Sequence, residues 1–337
     1  MGVGIYRRTR GQQALPNSVI SMPEYFLGVD GGQSSTTAVI GDGDGRIVGW
    51  ASAGPCNHVA AAEAKAKFLR VMRECITQAA GRAGIAGNHF KAACFGMSGG
   101  PADKAALLHE LIESEHWIVT HDAMTALAGA TSGEPGIVAI GGTGSIAFGQ
   151  NARGETARAG GWGYLFGDEG GAFDIVRQAL RAVLREHEGW GGRTALTPAL
   201  LESASVSDAN ALLHLFYKPD WPRQRIAGLA AIVDRIAEEG DPAAIGVLHN
   251  AARELALLTG SVRRQLWGEG ESVRVAWVGG VFRSAILLER FRTLVSLDEK
   301  TTCEAPKHGP AVGALLLAYR SCGVGLRPAP LPAQELL

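Results

Sequence analysis

Three short apolar runs, separated by glycine-rich turns, begin the regular hydrophobic pattern of the chain. They predict three strands joined by tight turns within 26–50. Apolar residues at helical spacing then predict a helix over 60–80. The pattern continues to alternate, and it predicts a strand at 91–97, a helix at 102–115, a strand at 117–120 and a helix at 123–130. This order of elements is that of one mixed α/β domain.

The opening plan returns in the second part of the chain. A strand is predicted at 136–140, followed by a turn of glycine and hydroxyl residues at 141–145 and a strand through Phe148. A long helical region then runs to about residue 266. The pattern ends with a strand at 273–278, a helix after Ser284 and an apolar helix over 309–321. The sequence therefore predicts two α/β halves that begin with similar hairpins.

Composition narrows the class of protein. A chain of 337 residues with a net charge of −1 predicts two domains, and it gives no electrostatic reason to expect nucleic acid or a membrane as partner. The five cysteines contain no CxxC pair, which favours reduced thiols and a cytoplasmic location. No apolar run approaches the roughly 20 residues of a membrane helix. Residues 1–24 lack the apolar core of a secretory signal and are expected to form a poorly ordered leader.

The first hairpin carries the residues that suggest phosphate chemistry. Asp30 ends the first strand, and Gly31 and Gly32 follow it without side chains that would keep an anion from the backbone N–H groups. Ser34 to Thr36 add hydroxyl donors, and a carboxylate beside bound phosphates is where Mg²⁺ is held. The alternative is a tight hairpin whose glycines serve only the turn.

Two other motifs suggest different chemistry. Residues 142–147 fit the GxGxxA dinucleotide fingerprint, but that fingerprint must open a helix and here a strand is predicted to follow. Residues 96–100 fit the GxSxG nucleophile elbow of serine hydrolases, with Ser98 as nucleophile and His308 available downstream. No oxyanion loop precedes Ser98, so a small-residue turn beside a pocket is the simpler interpretation.

Several candidate residues keep structural alternatives. Asp122 follows a predicted strand and is either catalytic or the N-cap of the next helix. Asp168 either contacts a ligand or caps a helix predicted at 169–186. Trp162 either contacts a ligand or packs the seam between domains, and His58 alone is typical of a structural histidine.

Taken together, the motifs resemble the BadF/N-acetylglucosamine kinase branch of the actin–hexokinase–Hsp70 superfamily. They follow the family order from about residue 26 to 320, and GGWG followed by GDEG is specific to this branch. The matching stretches are GVDGGQS at 28–34, Asn57–His58, GMSGG at 96–100, Asp122, GGTGS at 141–145, GGWGYLFGDEGG at 160–171 and VGGVFRS at 278–284.

The resemblance implies an α/β fold of two actin-like, ribonuclease H-like ATPase domains around a central cleft. The N-terminal domain would span 25–132 and be completed by a C-terminal helix at 309–322. The second domain would span 133–308, and the 1–24 leader would lie outside both.

The resemblance also assigns roles to individual residues. Asp122 would be the general base, and Asp30 would hold Mg²⁺. The ATP phosphates and the adenosine end of the nucleotide would contact Gly31, Gly32, Ser34, Gly142, Thr143, Gly144, Gly280 and Ser284. The sugar would contact Asn57, His58, Ser98, Gly161, Trp162, Gly163 and Asp168.

The activity implied is an ATP- and Mg²⁺-dependent kinase of an amino sugar, N-acetylglucosamine at its 6-hydroxyl, working as a homodimer. Glucosamine is the rival substrate, and a BadF-type ATPase coupled to a partner enzyme is the rival function. Two departures from the family pattern matter. Gln33 replaces a glycine of the phosphate turn, and Ala159 stands where animal relatives carry a cysteine beside the acetyl group.

Overall fold

The chain is described here by a computed structural model that covers residues 24–33, 35–56, 61–98 and 104–325. Its strands form two five-stranded sheets. The strands are β1 Tyr25–Gly31, β2 Thr36–Asp42, β3 Ile47–Ala53, β4 His89–Met97 and β5 Glu113–His121 in the first sheet, and β6 Gly136–Gly141, β7 Ser145–Gln150, β8 Thr156–Gly160, β9 Val273–Val278 and β10 Thr301–Glu304 in the second.

Helices occupy most of the remaining chain. They are α1 Ala61–Arg82, α2 Ala105–Leu108, α3 Asp122–Thr131, α4 Ala172–His187, α5 Leu196–Ala204, α6 Ala209–Leu215, α7 Arg223–Gly228, α8 Ala230–Glu238, α9 Pro242–Leu266, α10 Ala285–Val295 and α11 Pro310–Ser321. A single 3-10 turn, Gly280–Arg283, separates β9 from α10.

The two sheets share one topology. The strand orders are β3-β2-β1-β4-β5 and β10-β9-β6-β7-β8. Each sheet begins with an antiparallel three-stranded meander and adds two parallel strands beside its first strand. The predicted repeat of the opening hairpin is therefore confirmed, and the α/β class with it. The domain boundaries at 132 and 308 stay a prediction.

The predicted helix at 102–115 is wrong over most of its described length. Only α2 is helical, and residues from Glu113 onward belong to β5, where Glu113 pairs with His89 in a parallel register. Leu108 and Ile112 are buried against the first sheet. Their spacing fits a helix, but pairing with β4 determines the conformation, as tertiary contacts commonly override local propensity.

Two short strands, β8 and β10, were not predicted. β8 alternates half-buried and exposed residues, and β10 is an edge strand with little apolar character. The helical region after residue 168 begins later than expected, since α4 starts at Ala172 with Gly171 as its N-cap. The region is not one helix but is divided into α4 to α9.

Two helices in close contact connect the sheets. α3 contacts strands of both sheets, and α11 packs against α3, β1 and β4. Side chains at Gly129 and Gly313 would overlap the backbone of the facing helix, so these glycines permit the close crossing. At Gly28 in β1, a Cβ would overlap the backbone of α11 at Leu315. The C-terminal helix therefore packs on the first sheet.

Apolar residues of α3 face the second sheet. Ala126, Leu127 and Ala130 pack on Val138 of β6 and Ala276 of β9. This packing fixes where α3 begins, at the edge of the first sheet. Within the described residues, no helix is both long and apolar enough to cross a membrane. Residues 1–23 of the predicted leader lie outside the described residues, and so do Ser34, Asn57 and His58.

Candidate active site

The carboxyl ends of three parallel strands bring the candidate catalytic residues to one edge of the first sheet. In the registers of the sheet, Asp30 of β1 is level with Gly96 of β4, and Gly96 is level with Thr120 of β5. Asp122 follows β5 directly as the first residue of α3. Ligands of open α/β sheets bind at this edge, so the topology itself places Asp30 and Asp122 where chemistry is expected.

The two carboxyl groups interact electrostatically. The pKa of Asp30 is raised to about 7, first because burial disfavours its charged form and second because the negative charge of Asp122 lies nearby. Part of the Asp30 side chain is still accessible to solvent. A cation placed between the two groups would relieve both effects, so this edge is suited to a positively charged ligand.

Asp122 is held in place by its own helix. Its Oδ1 accepts a hydrogen bond from the Ala123 N–H at 2.9 Å, and its carbonyl accepts one from the Thr125 hydroxyl at 2.9 Å. The N-cap position belongs to His121. No described residue donates a hydrogen bond to Oδ2 of Asp122, so this oxygen is available to accept a proton. The carboxylate thus supports the helix through one oxygen, and the other has no donor among the described residues.

A glycine on the neighbouring strand allows α3 to approach this closely. A Cβ at Gly96 would overlap the Thr125 side chain. Any larger residue in this position would push the start of α3, and Asp122 with it, away from Asp30.

The residues at this edge fit a magnesium ion. Within the described ranges, no three or more His, Cys, Asp or Glu side chains cluster as a metal site. Mg²⁺, however, is commonly bound by one or two carboxylates together with substrate phosphates and water. Asp30 supplies such a carboxylate, and its pKa is raised first by burial and second by the nearby charge of Asp122.

The first hairpin turn forms a compact backbone loop beside Asp30. The Gly32 N–H donates to the Ser35 carbonyl at 2.9 Å, and the Ser98 N–H donates to the Gly31 carbonyl at 3.1 Å. Cys56 contacts the same loop through its thiol, 3.8 Å from the Gly32 carbonyl. These bonds join the turn after β1 to the turn after β4.

Ser98 is in a poor position for a nucleophile. Its side chain is buried, and its carbonyl accepts a hydrogen bond from Lys104, a contact that the sequence did not predict. The backbone N–H of His308 donates a hydrogen bond to the Gly129 carbonyl at 3.1 Å. Gly129 lies about 10 Å along α3 from Asp122. The histidine is thus at the far end of that helix, and the geometry does not support a serine hydrolase.

The second hairpin turn, residues 142–144, is bound to the start of α4. The Ala172 and Phe173 N–H groups donate to the carbonyls of Gly142 and Thr143 at 2.9 and 3.1 Å. The turn opens the strand β7 rather than a helix, which confirms that the dinucleotide fingerprint does not apply. No atom lies within 4 Å of the Cβ position of Gly142. The turn therefore has open space above its first glycine.

Asp168 is buried beside this turn. Its Oδ1 accepts a hydrogen bond from the Ser145 N–H at 3.4 Å, and a Cβ at Gly144 would overlap its carboxylate. Its φ of 62° lies in the left-handed region, which is uncommon outside glycine. Because Gly171 is the N-cap of α4, the alternative role of Asp168 as helix cap is wrong.

Arg223 is the main site residue that the sequence did not predict. Its guanidinium forms an ion pair with Asp168 and lies 5.2 Å from the centre of the Tyr164 ring and 5.8 Å from that of Phe173. It comes from α7, far along the chain from Asp168. No motif marks it in the sequence, because only the packing of the helical region brings the two residues together.

The loop 161–163 leaves β8 on the side of the second turn. The Gly161 N–H donates to the Ser145 carbonyl at 2.9 Å, and Gly161 and Gly163 have φ values of 73° and 82°. Trp162 between them is 66% exposed, so it does not pack a seam within the described structure. The Arg158 guanidinium lies 5.0 Å from its ring centre. An exposed aromatic ring on a glycine hinge is available for a ligand.

Gly280 and Ser284 flank the 3-10 turn after β9. Gly280 is exposed, with nothing within 4 Å of its Cβ position. Ser284 is buried, and its hydroxyl caps α10 by accepting from the Leu287 N–H at 3.2 Å. Ser284 thus has a structural role that is sufficient to explain it, whereas Gly280 offers open backbone. Contact of either residue with a nucleotide stays a prediction.

Comparison with known proteins agrees with this arrangement of two hairpins, one acidic edge and a glycine-rich loop. The sequence profile of the BadF/BadG/BcrA/BcrD ATPase family matches residues 27–318. The chain belongs to this family. The match spans both sheets and every candidate site residue, so the resemblance seen in the sequence is confirmed.

Individual members of the family are similar over nearly their whole length. An N-acetylmuramic acid/N-acetylglucosamine kinase of Clostridium acetobutylicum is 31% identical, with 89% of this chain and 99% of the relative covered. An N-acetyl-D-glucosamine kinase of Dictyostelium discoideum is 32% identical, with 88% and 98% covered. A solved structure from Chromobacterium violaceum, assigned as an N-acetylglucosamine kinase, is 26% identical with a TM-score of 0.71, covering 88% of this chain and 99% of that one.

Proposed function

We propose that the chain is an ATP- and Mg²⁺-dependent amino-sugar kinase that phosphorylates N-acetylglucosamine at its 6-hydroxyl, with Asp122 as general base. The observation that most supports this proposal is that the carboxyl groups of Asp30 and Asp122 interact electrostatically at the carboxyl edge of the first sheet. The relatives support the class of reaction, because both of those named above are kinases of N-acetylated amino sugars. The chain is a sugar kinase, and the family is one of ATPases.

The first half of the proposed mechanism is the activation of the sugar hydroxyl. Oδ2 of Asp122 accepts the hydroxyl proton, while Oδ1 stays hydrogen bonded to the Ala123 N–H. The sugar oxygen then forms a bond to the γ-phosphorus of ATP, and the bond from that phosphorus to the ADP oxygen breaks. General-base assistance of this kind typically contributes 10²–10⁴-fold.

The second half is the placement of the phosphates. We assign the turns at 31–36 and 142–144 to them, because both present glycine backbone at strand ends. Phosphoryl transfer depends mostly on positioning and on neutralising charge. Mg²⁺ beside Asp30 would supply that neutralisation when bound. Asp168 and the loop 161–163 are assigned to the sugar hydroxyls.

The test is ADP release, measured with a coupled assay, with Mg-ATP against a panel of sugars. The panel holds N-acetylglucosamine, N-acetylmuramic acid, N-acetylmannosamine, glucosamine, glucose and a blank without sugar. We expect turnover that depends on an N-acetylated amino sugar and disappears with its 6-deoxy analogue. Equal ADP release in every well, blank included, would contradict a sugar kinase and support an ATPase coupled to a partner protein.

The homodimer and the cytoplasmic location implied by the family resemblance stay predictions. Light scattering of the purified chain tests the first, with a mass of twice 35.3 kDa expected.

A further inference from the structure

The ion pair between Asp168 and Arg223 changes the charge of the sugar site. The Asp168 side chain is 8% exposed and that of Arg223 20%. A pair so shielded from water keeps most of its mutual interaction, because screening by solvent is weak there. The carboxylate of Asp168 is therefore neutralised by a fixed guanidinium rather than by solvent ions.

Arg223 is held from more than one side. The rings of Tyr164 and Phe173 face its guanidinium, and Phe173 in turn contacts Tyr164 with ring centres 5.3 Å apart. Its Nε is buried and has no hydrogen-bond partner among the described residues. This one donor is therefore unsatisfied, which is costly for a buried polar group. The guanidinium is fixed in place by the two rings and by its ion pair with Asp168.

A fixed, neutralised carboxylate has a consequence for the choice of sugar. The ammonium of glucosamine gains from an unpaired carboxylate and loses from a nearby guanidinium, since charges interact strongly at low effective dielectric. The binding of an uncharged N-acetyl sugar does not depend on this balance of charges. A sugar that carries a carboxylate, such as N-acetylmuramic acid, avoids the repulsion that an unpaired Asp168 carboxylate would exert on it.

We propose that Arg223 is a specificity-determining residue that makes the site select N-acylated amino sugars, uncharged or anionic, against those with a free ammonium group. The proposal rests on the proposed function, since it assumes that the sugar binds beside Asp168. It addresses the substrate question that the position of Ala159 leaves open. Asp168 fixes the sugar hydroxyls, and Arg223 sets the charge that the sugar meets.

The experiment measures kcat/KM for glucosamine, N-acetylglucosamine and N-acetylmuramic acid at one pH below the pKa of the glucosamine amine. The variants are Arg223→Met, which removes the charge, and Arg223→Lys, which keeps it. In Arg223→Met we expect the ratio of glucosamine to N-acetylglucosamine to rise at least tenfold, and the ratio of N-acetylmuramic acid to N-acetylglucosamine to fall. Arg223→Lys should keep both ratios close to those of the unchanged protein.

A matched control lies on the same helix. Arg225 stacks on Trp221 at 4.1 Å and hydrogen bonds to the Asp220 carbonyl, with no contact to Asp168. Arg225→Met should leave all three ratios unchanged. If Arg223→Met folds poorly by thermal melting, Arg223→Gln, which keeps a hydrogen-bond donor without the charge, replaces it with the same expectation.

The results of this experiment distinguish a failure of the inference about Arg223 from a failure of the proposed function. An equal loss for all three sugars in Arg223→Met would overturn the inference and leave the kinase function intact, because a purely structural role reduces every activity alike. Ratios that Arg223→Lys changes as much as Arg223→Met would also overturn it. No sugar-dependent ADP release by the unchanged protein would overturn the proposed function itself, and the inference with it.

Discussion

The two opening hairpins share an antiparallel strand pairing that begins at an end-strand glycine, but they differ in turn length and in chemistry. In the first, Gly31 pairs with Thr36 and the preceding residue is Asp30; in the second, Gly141 pairs with Ser145 and the preceding residue is Ile140. Both end-strand glycines are enclosed by side chains, Met97 and Met72 in one case and Val281 in the other. The strand pairing is therefore repeated, but only the first hairpin carries a carboxylate beside its end-strand glycine.

This difference suggests a division of labour between the halves. The first sheet contributes the acidic edge formed by Asp30 and Asp122. The second contributes a turn bound to α4 and, beside it, the neutral ion pair of Asp168 with Arg223. A repeated fold thus supplies two similar anchors for phosphates, and the side chains added to each anchor determine which half does chemistry and which half selects the sugar.

Removal of the Asp30 carboxylate should have the largest effect on activity. Asp30→Asn leaves the backbone turn intact but deletes the proposed partner of Mg²⁺, so we expect kcat to fall at least a hundredfold, about 2.7 kcal/mol. The measurement is ADP release as a function of Mg²⁺ concentration. Ile140→Val, at the corresponding position of the second hairpin, is the control and should keep activity within a few-fold. Similar losses in both variants would contradict the division of labour.

Two alanine substitutions sharpen the role of the second turn. A Cβ at Gly144 would overlap the Asp168 carboxylate, whereas the Cβ position of Gly142 is open. Gly144→Ala should therefore lower the melting temperature and raise KM for the sugar. Gly142→Ala should leave the melting temperature unchanged but weaken ATP binding about tenfold, because only a bound phosphate would meet the new methyl group.

Calorimetry with a nonhydrolysable ATP analogue checks the second expectation. Unchanged nucleotide affinity in Gly142→Ala would mean that the phosphates do not approach this turn, and it would leave the first hairpin as the only phosphate anchor.

An effect on stability rather than on activity is expected in the absence of nucleotide and metal, where the free energy of unfolding should depend on pH. The pKa of Asp30 is about 7 in the folded chain against 3.8 ordinarily, so the folded state keeps a proton that the unfolded chain has released. The contribution of this group to stability is fully present below pH 3.8 and is lost as pH rises through about 7. Relative to the parent, Asp30→Asn should therefore become more stable as pH rises from 4 to 7.

Urea unfolding of both proteins across that range measures the difference. Above pH 7 the gain should be constant. A gain that does not change between pH 5 and pH 8 would show that Asp30 is not shielded as described.

Local signals in the sequence were sufficient to predict the two hairpins. Glycines at strand ends, alternating apolar runs and a strand-end aspartate are determined by residues next to one another, so β1, β2, β6 and β7 and the placement of Asp30 were predictable. Asp122 was predictable as a strand-end residue. Its closeness to Asp30 follows only from the parallel pairing of β1, β4 and β5.

The features that were not predicted from the sequence depend on contacts between residues far apart in the chain. Residues 113–115 lie within the predicted helix, but they belong to β5, which pairs with β4. Arg223 meets Asp168 across a separation of 55 residues, through packing of several helices that no local pattern encodes. The ion pair of the proposed sugar site therefore could not be predicted from the sequence, whereas its glycine-rich loop could.

The central claim is that Asp122 accepts the proton of the sugar hydroxyl, and Asp122→Asn tests it most directly. The measurement is sugar-dependent ADP release at saturating Mg-ATP, together with nucleotide affinity by calorimetry. We expect turnover to fall at least a hundredfold with nucleotide affinity within about threefold, because the amide keeps its bond to the Ala123 N–H but cannot accept the proton. Turnover that survives within tenfold, about 1.4 kcal/mol, would contradict the assignment.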